Sequence, residues 1–492
     1  MSGIPRSKME QSQLIELIST LNPSERELII QFASLPSFNG GKMRAHVLPL
    51  LIICLSQKWA DLDQKIDKQS VFATLFPNQK FVEGRLEKIM VEAHKVVRTT
   101  LIVNHYFRND NEFHQGFDFA EITRTKGLNT RYQQLLARLQ KLQDDVLYKN
   151  ERYFRQQALL ENAIHESECY HNQKKGDLNV PNVLHAIEGN YHLNRIAVLN
   201  RILLQQKFSK VEVPDDLKRQ IEETFIPVKF LEESSVLSAN YAIFNLLNKD
   251  TPEPSDIRSL FDLLKLHEKE FDQETLQEFY AYLRNICILV LFSDIENIEI
   301  EYALLELYKD NLFRGYLHYE GKLHPSRYWA VSSNAIRVKE FEWALEFIEK
   351  YKFELIGENE TQDIYRLNFA NYLFGKWKYS ECLDFIPASS PFVDYLLAGK
   401  RLELKAYYEL QSELLTYKLE AFKVFLSRTS PKLLSETQKQ MHVEFANLLT
   451  QISTSLKGDP KRSELLTKRI QEKKQAAEWR WLLEKAKALK DG

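Results

Sequence analysis

The chain has 492 residues, with 66 Lys and Arg against 68 Asp and Glu and a formal net charge of −2. Near-neutral charge excludes the broad phosphate attraction of a strongly basic nucleic-acid or membrane-surface binder. Fifteen glycines and 15 prolines are about 3% each, against ordinary usage of about 7% and 5%, which argues for long helices over a loop-rich chain. With 44% apolar and 27% charged residues the chain can bury a core. Its length exceeds that of one compact core, so two or more domains or an elongated repeat array are expected.

The N-terminus, MSGIPRSKMEQSQ, lacks the apolar segment of a secretory signal. The longest apolar runs, VLPLLIICL (47–55) and ICILVLF (286–292), fall short of the roughly 20 residues a spanning helix needs. Cys54, Cys169, Cys287 and Cys382 are scattered, with no CxxC pair, and two of them lie within apolar runs. That usage suits a reducing compartment, and a soluble cytoplasmic protein is expected.

In chain order, LNPSERELIIQFASLP (21–36) carries a helix start: Asn22 as N-cap, Pro23 at the first position and Glu25 three residues after the cap. A second helix is predicted over about 42–59 with a kink at Pro49. Asp67 is placed to cap a short helix, KQSVFATLF, and a fourth is predicted over 81–103. Residues 108–128 are polar, and Gly127 is read as a helix C-terminal glycine. From Thr130 no glycine or proline interrupts the chain for over forty residues, and Tyr132, Leu135, Leu139, Leu142 and Val146 form one seam. This predicts a helix reaching roughly 60 Å, a turn at 174–181 and an antiparallel return. Beyond about 212, helices alternate with polar turns near 213–216, 248–256, 293–297, 320–326, 357–362, 387–391 and 427–432, and no strand alternation persists.

Regular spacing invites a search for internal repeats. Aligning WALEFI (343–348) with ECLDFI (381–386) pairs Ala344 with Cys382, Phe341 with Tyr379, Leu345 with Leu383 and Phe347 with Phe385. Upstream, Ser332 pairs with Ala370 and Ala335 with Leu373. This resembles the tetratricopeptide pattern, in which small residues let paired helices approach and aromatics fill the gaps. The offset is 38 residues where the pattern has about 34, and its usual proline is missing. A solenoid would line a concave face with the first helix of each pair. By position, Trp329, Ser333, Arg337, Leu367, Asn371 and Phe374 are the candidates for a peptide groove there.

The order of features over nearly the whole chain is similar to an uncharacterised family of bacterial all-helical proteins of this length with degenerate tetratricopeptide-like repeats. It rests on LNPSERELIIQFASLPSFN, SVFATLFPNQKF, LHPSRYWAVSSNAIRVKEFEWALEFI, KAYYEL and WRWLLEKAKAL. The resemblance implies a fold and no activity.

Other constellations point to other chemistries. Glu161, His165 and Cys169 recur every fourth residue on one helical face, with His185, Glu188 and His192 expected on the returning helix, a donor set for zinc. The spacing is not HExxH, and a solvated or packed seam is the plainer reading. No GxSxG, P-loop or GxGxxG occurs, so no enzyme and no cofactor are expected. Residues 461–490 hold ten Lys and Arg against four Glu, and Arg85, Lys88, Lys95 and Arg98 lie on a helix that could imitate a helix-turn-helix. Nucleic-acid binding is therefore an alternative. Against it, Leu466, Ile470, Ala477 and Trp481 form an apolar stripe suited to a capping helix.

The expectation is an all-α protein: a helical N-terminal domain (1–108), a linker and long hairpin (109–211), a repeat solenoid (212–456) and a basic capping helix (457–492). The expected function is a non-catalytic scaffold that binds a protein or peptide on a helical-repeat groove. The alternatives are nucleic-acid binding and a regulatory metal-binding protein.

Overall fold

The computed structural model describes residues 12–41, 43–56, 68–82, 84–107, 111–171, 179–209, 213–293, 297–319, 321–357, 361–388, 392–430, 432–473 and 475–491. The protein is all-α. It divides into two compact units, 1–146 with 155–187, and 147–154 with 188–492, so the division falls inside the segment read as a hairpin.

The N-terminal unit begins with α1 (Gln13–Ser19), α2 (Pro23–Ser34), α3 (Arg44–Leu55), α4 (Lys68–Leu75) and α5 (Arg85–Tyr106). The start of α2 is as read from sequence: Asn22 Oδ1 accepts the Glu25 amide at 2.9 Å, and Glu25 returns the bond to the Asn22 amide at 3.1 Å. Asn22→Ala is expected to lower the stability of this unit by about 1 kcal/mol in urea unfolding, because the Glu25 amide loses its side-chain acceptor. Helix α3 runs through Pro49, and Asp67 lies outside the described residues. Gly84, with φ 80°, starts α5 four residues later than predicted. Leu50, Cys54, Phe72, Leu86, Ile89 and Val97 pack one core.

The polar stretch at 108–128 contains α6 (Glu112–Thr125), of which the sequence reading had only the C-terminal glycine, Gly127. It buries only Phe113, Ala120 and Thr123, too sparse a pattern to stand out. Gly127 ends it in the left-handed region, and the next amide, of Leu128, donates to the Thr123 carbonyl at 3.0 Å.

The long helix expected from Thr130 is two helices, α7 (Asn129–Asp144) and α8 (Glu151–His171). Adjacent Asp144 and Asp145 place negative charge at the negative end of the α7 dipole. After the break, Asn150 Oδ1 accepts the Tyr153 amide, Asn150 Nδ2 donates to Asp272, and Ser234 Oγ donates to the Lys149 carbonyl. The local Asn150 cap and the two tertiary bonds fix the chain at 149–150 between the helices. The turn read at 174–181 lies mostly outside the described residues, and α9 (Val180–Ser209) follows it.

The C-terminal unit continues through α10 (Asp215–Glu222), α11 (Val228–Glu233), α12 (Ser235–Asn248), α13 (Pro254–Leu266), α14 (Gln273–Ser293) and α15 (Ile298–Phe313). Two-residue strands, β1 (His318–Tyr319) and β2 (Lys322–Leu323), form a hairpin before α16 (Pro325–Arg337). Then come α17 (Phe341–Tyr351), α18 (Thr361–Gly375), α19 (Tyr379–Phe385), α20 (Val393–Glu409), α21 (Leu414–Arg428) and α22 (Glu436–Ser453). The predicted C-terminal helix is instead a hairpin of α23 (Pro460–Glu472) and α24 (Trp479–Ala488). Its apolar stripe is buried: Leu466 and Ile470 are fully enclosed, joined by Trp481, in a core shared with α20, α21 and α22.

The aligned small residues lie where helices approach. Ser332, Ala335, Ala344, Ala370 and Cys382 are all completely buried. Gly375 completes the joint: a Cβ there would come within 2.5 Å of Ile336 Cγ2. Phe341 and Tyr379 border aromatic rings of α18, with centroids 6.4 Å from Tyr372 and 5.2 Å from Phe374 respectively.

Candidate functional site

Helix α16 starts at His324, which caps the Ser326 amide, followed by Pro325 at the first helical position. It packs against α15, α17 and α18, while α18 packs against α17, α19 and α20. Of the predicted groove residues, Leu367 is fully buried and is core rather than lining. Trp329, Ser333, Asn371 and Phe374 are half-buried, and Arg337 is the most exposed. Ser333 and Asn371 do meet: Asn371 Nδ2 donates to Ser333 Oγ at 3.3 Å. One position inward, Ser332 Oγ donates to Asn368 Oδ1 at 2.5 Å within the core.

Beside these residues lies a network of charges that sequence reasoning missed. Glu301 of α15 is 2% exposed and accepts from Asn334 Nδ2 at 3.1 Å, from Arg337 Nε at 3.0 Å and from Arg480 of α24. Burial pushes its carboxyl up, and Arg337 and Arg480 outweigh that and hold it below the usual range. Two residues before Arg480, Glu478 accepts from Arg401 Nε at 2.9 Å and Lys405 Nζ at 2.7 Å, both on α20. Burial raises the Glu478 carboxyl, but Lys405 and Arg401 prevail and bring it to about 2. Lys405 Nζ also lies 4.8 Å from the centroid of the Phe374 ring, which ties this cluster to the predicted face. Next to Arg401, burial and then the guanidinium push His442 down to about 4.

A third pairing completes the row. Glu409, at the end of α20, accepts from Trp481 Nε1 at 2.9 Å and from Lys485 Nζ at 2.8 Å. Glu478 has φ 55° and ψ 26°, a left-handed backbone that costs a residue with a side chain roughly 1–2 kcal/mol. Two charge-assisted bonds from its carboxylate hold it there.

The second constellation is arranged differently. Glu161 accepts from Gln157 Nε2 at 2.6 Å and from Asn179, and His165 lies 3.6 Å from Cys169 Sγ. His192 stacks near Phe230, burial lowers its pKa, and Glu188 pairs with Lys229 at 3.3 Å. Among the described residues no group of three or more His, Cys, Asp or Glu converges on a point that could hold a metal. Of the basic residues on α5, Lys95 pairs with Glu92, and Arg85 stacks 3.8 Å from the Phe76 ring centroid. Among the described residues no helix is long and apolar enough to cross a membrane.

Compared with protein-family models, curated proteins and solved structures, the chain matches none.

Proposed function

We propose that the protein is a non-catalytic interaction scaffold, a degenerate tetratricopeptide-like solenoid that binds a protein or peptide along the first helices of its repeats. The observation that carries this reading is the equivalence of α16 and α18. Each touches the following helix and the next but one, and both place small buried residues at positions 38 apart, Ser332 with Ala370 and Ala344 with Cys382 on the paired helices. Stacking of this kind leaves one row of first helices with a continuous face, the geometry of extended peptide recognition. The polar contacts from α16 to α18, Ser333 with Asn371 on half-buried positions and Ser332 with Asn368 in the core beneath them, support the register.

The test is affinity capture with the full chain and with Trp329→Ala/Asn371→Ala. A partner enriched by the first and lost by the second, at unchanged far-ultraviolet circular dichroism, is the expected result. Equal recovery by both chains, or no enriched partner, overturns the reading.

A further inference from the structure

Helix α24 borders the face to which the scaffold reading assigns binding, where Arg480 shares Glu301 with Arg337 and Glu478 shares Lys405 with the Phe374 ring, and its contacts follow an order along the helix. The carboxylate of Glu478 enters between Arg401 and Lys405, Arg480 reaches Glu301, and Trp481 and Lys485 share Glu409. Apart from α24 the face offers cations at Arg337, Arg401 and Lys405 and carboxylates at Glu301 and Glu409. Complementarity then demands a segment that is acidic first and basic two and seven residues later. Its apolar requirement is equally specific, since Leu482 and Ala486 are fully buried and Trp481 is 9% exposed.

We propose that this face is a docking site for a partner helix with that charge order and an aromatic residue after the first cation, and that α24 is its resident competitor in cis. The proposal rests on the scaffold reading and names its partner and its regulation. Two features favour exchange. Glu478 makes its contacts from a left-handed backbone, and a partner that brought a carboxylate to Arg401 and Lys405 from an unstrained residue would make the same bonds without that distortion. A helix presenting an equivalent tryptophan and leucine would restore the apolar burial that α24 gives up. The hairpin is joined to α22 by the turn 454–459, in which the Gly458 amide donates to the Leu489 carbonyl at 2.8 Å.

The probe is a fluorescein-labelled peptide of residues 476–491, titrated by anisotropy into the full-length protein. Trp481→Ala in the protein weakens the resident helix and should tighten peptide binding at least tenfold over wild type. Adding Lys405→Glu should abolish it, and so should Glu478→Lys in the peptide. If Trp481→Ala loses its helical signal, Arg480→Ala gives the same comparison, because Arg480 is 35% exposed and anchors only the first turn. No saturable binding to either variant overturns the proposal, as does binding that survives Lys405→Glu. A dimer in solution with a disulfide between Arg401→Cys and Glu478→Cys of different copies also overturns it, because a second copy is then the occupant. If capture depends on Trp329 and Asn371 but the peptide does not compete, the scaffold reading stands and this proposal falls. If neither depends on the face, both fall.

Discussion

Glu478→Ala is expected to destabilise the C-terminal unit by about 3 kcal/mol at neutral pH, among the larger effects available to a polar substitution here. The carboxylate is the shared partner of Arg401 and Lys405, whose side chains are only 16% and 10% exposed. Its removal leaves two largely desolvated cations side by side with no counter-charge, which costs far more than an exposed ion pair yields. Relief of the left-handed backbone offsets little, since alanine is strained there too. The pH dependence follows with its sign. The folded Glu478 titrates at about 2 and the unfolded one near the ordinary carboxylate value of about 4.3. Between those values the unfolded chain binds more protons, so stability is complete above about pH 4.5 and falls as pH drops toward 2. His442, brought down to about 4 beside Arg401, loses its contribution in a separate window, from about 6.5 downward. Urea midpoints of wild type and Glu478→Ala should therefore stand far apart at pH 7 and converge as pH falls from 4.5. A constant separation down to pH 2 would show that the carboxylate is not held as described.

Ala344→Leu is expected to cost up to about 3 kcal/mol. Ala344 is fully buried against Leu305, Ala335 and Val338, with Trp343 and Tyr372 closing the surroundings. Interiors this dense have no void for three further carbons, so α17 must move from α15 and α16 or side chains must leave their rotamers. Ala344→Gly should be milder, limited to the backbone entropy of one helical glycine, about 1 kcal/mol. A wild-type melting temperature for Ala344→Leu would mean that this joint is not close-packed and would remove the main support for pairing 344 with 382.

Legibility varied with the range of the interaction. The start of α2 was legible because a capping box is complete within four residues, and Gly127 because a left-handed C-terminal residue is a local demand. The close-packing positions were legible because small residues recur at an offset of 38 in two segments that can be compared, and those residues are fully buried. The residues read as groove lining differ in their placement. Position along a helix places Ser333 and Asn371 together, but it cannot distinguish Leu367, one residue from the Ser332–Asn368 bond, as core. The charge network was not legible. Glu301 sits in IEIEYALLELY as one of three similar glutamates, and only its burial separates it from Glu299 and Glu306.

By itself the amino-acid sequence determined that the chain is helical, where helices such as α2 begin, and that a C-terminal stripe including Leu466 and Ile470 is apolar and buried. Caps, helix periodicity and scarce glycine and proline act over one or two turns, and local rules suffice there. Only the tertiary structure decided that the long helix breaks at 145–150, where bonds to Asp272 and Ser234 compete with helix propagation. It alone decided that α24 folds back onto α20 and α15. Arg480 and Glu301 are 179 residues apart, and a charge pair over that distance leaves no periodic trace, because either side chain would be equally at home in water. Burial against the packed helices is what makes a counter-charge for Glu301 obligatory.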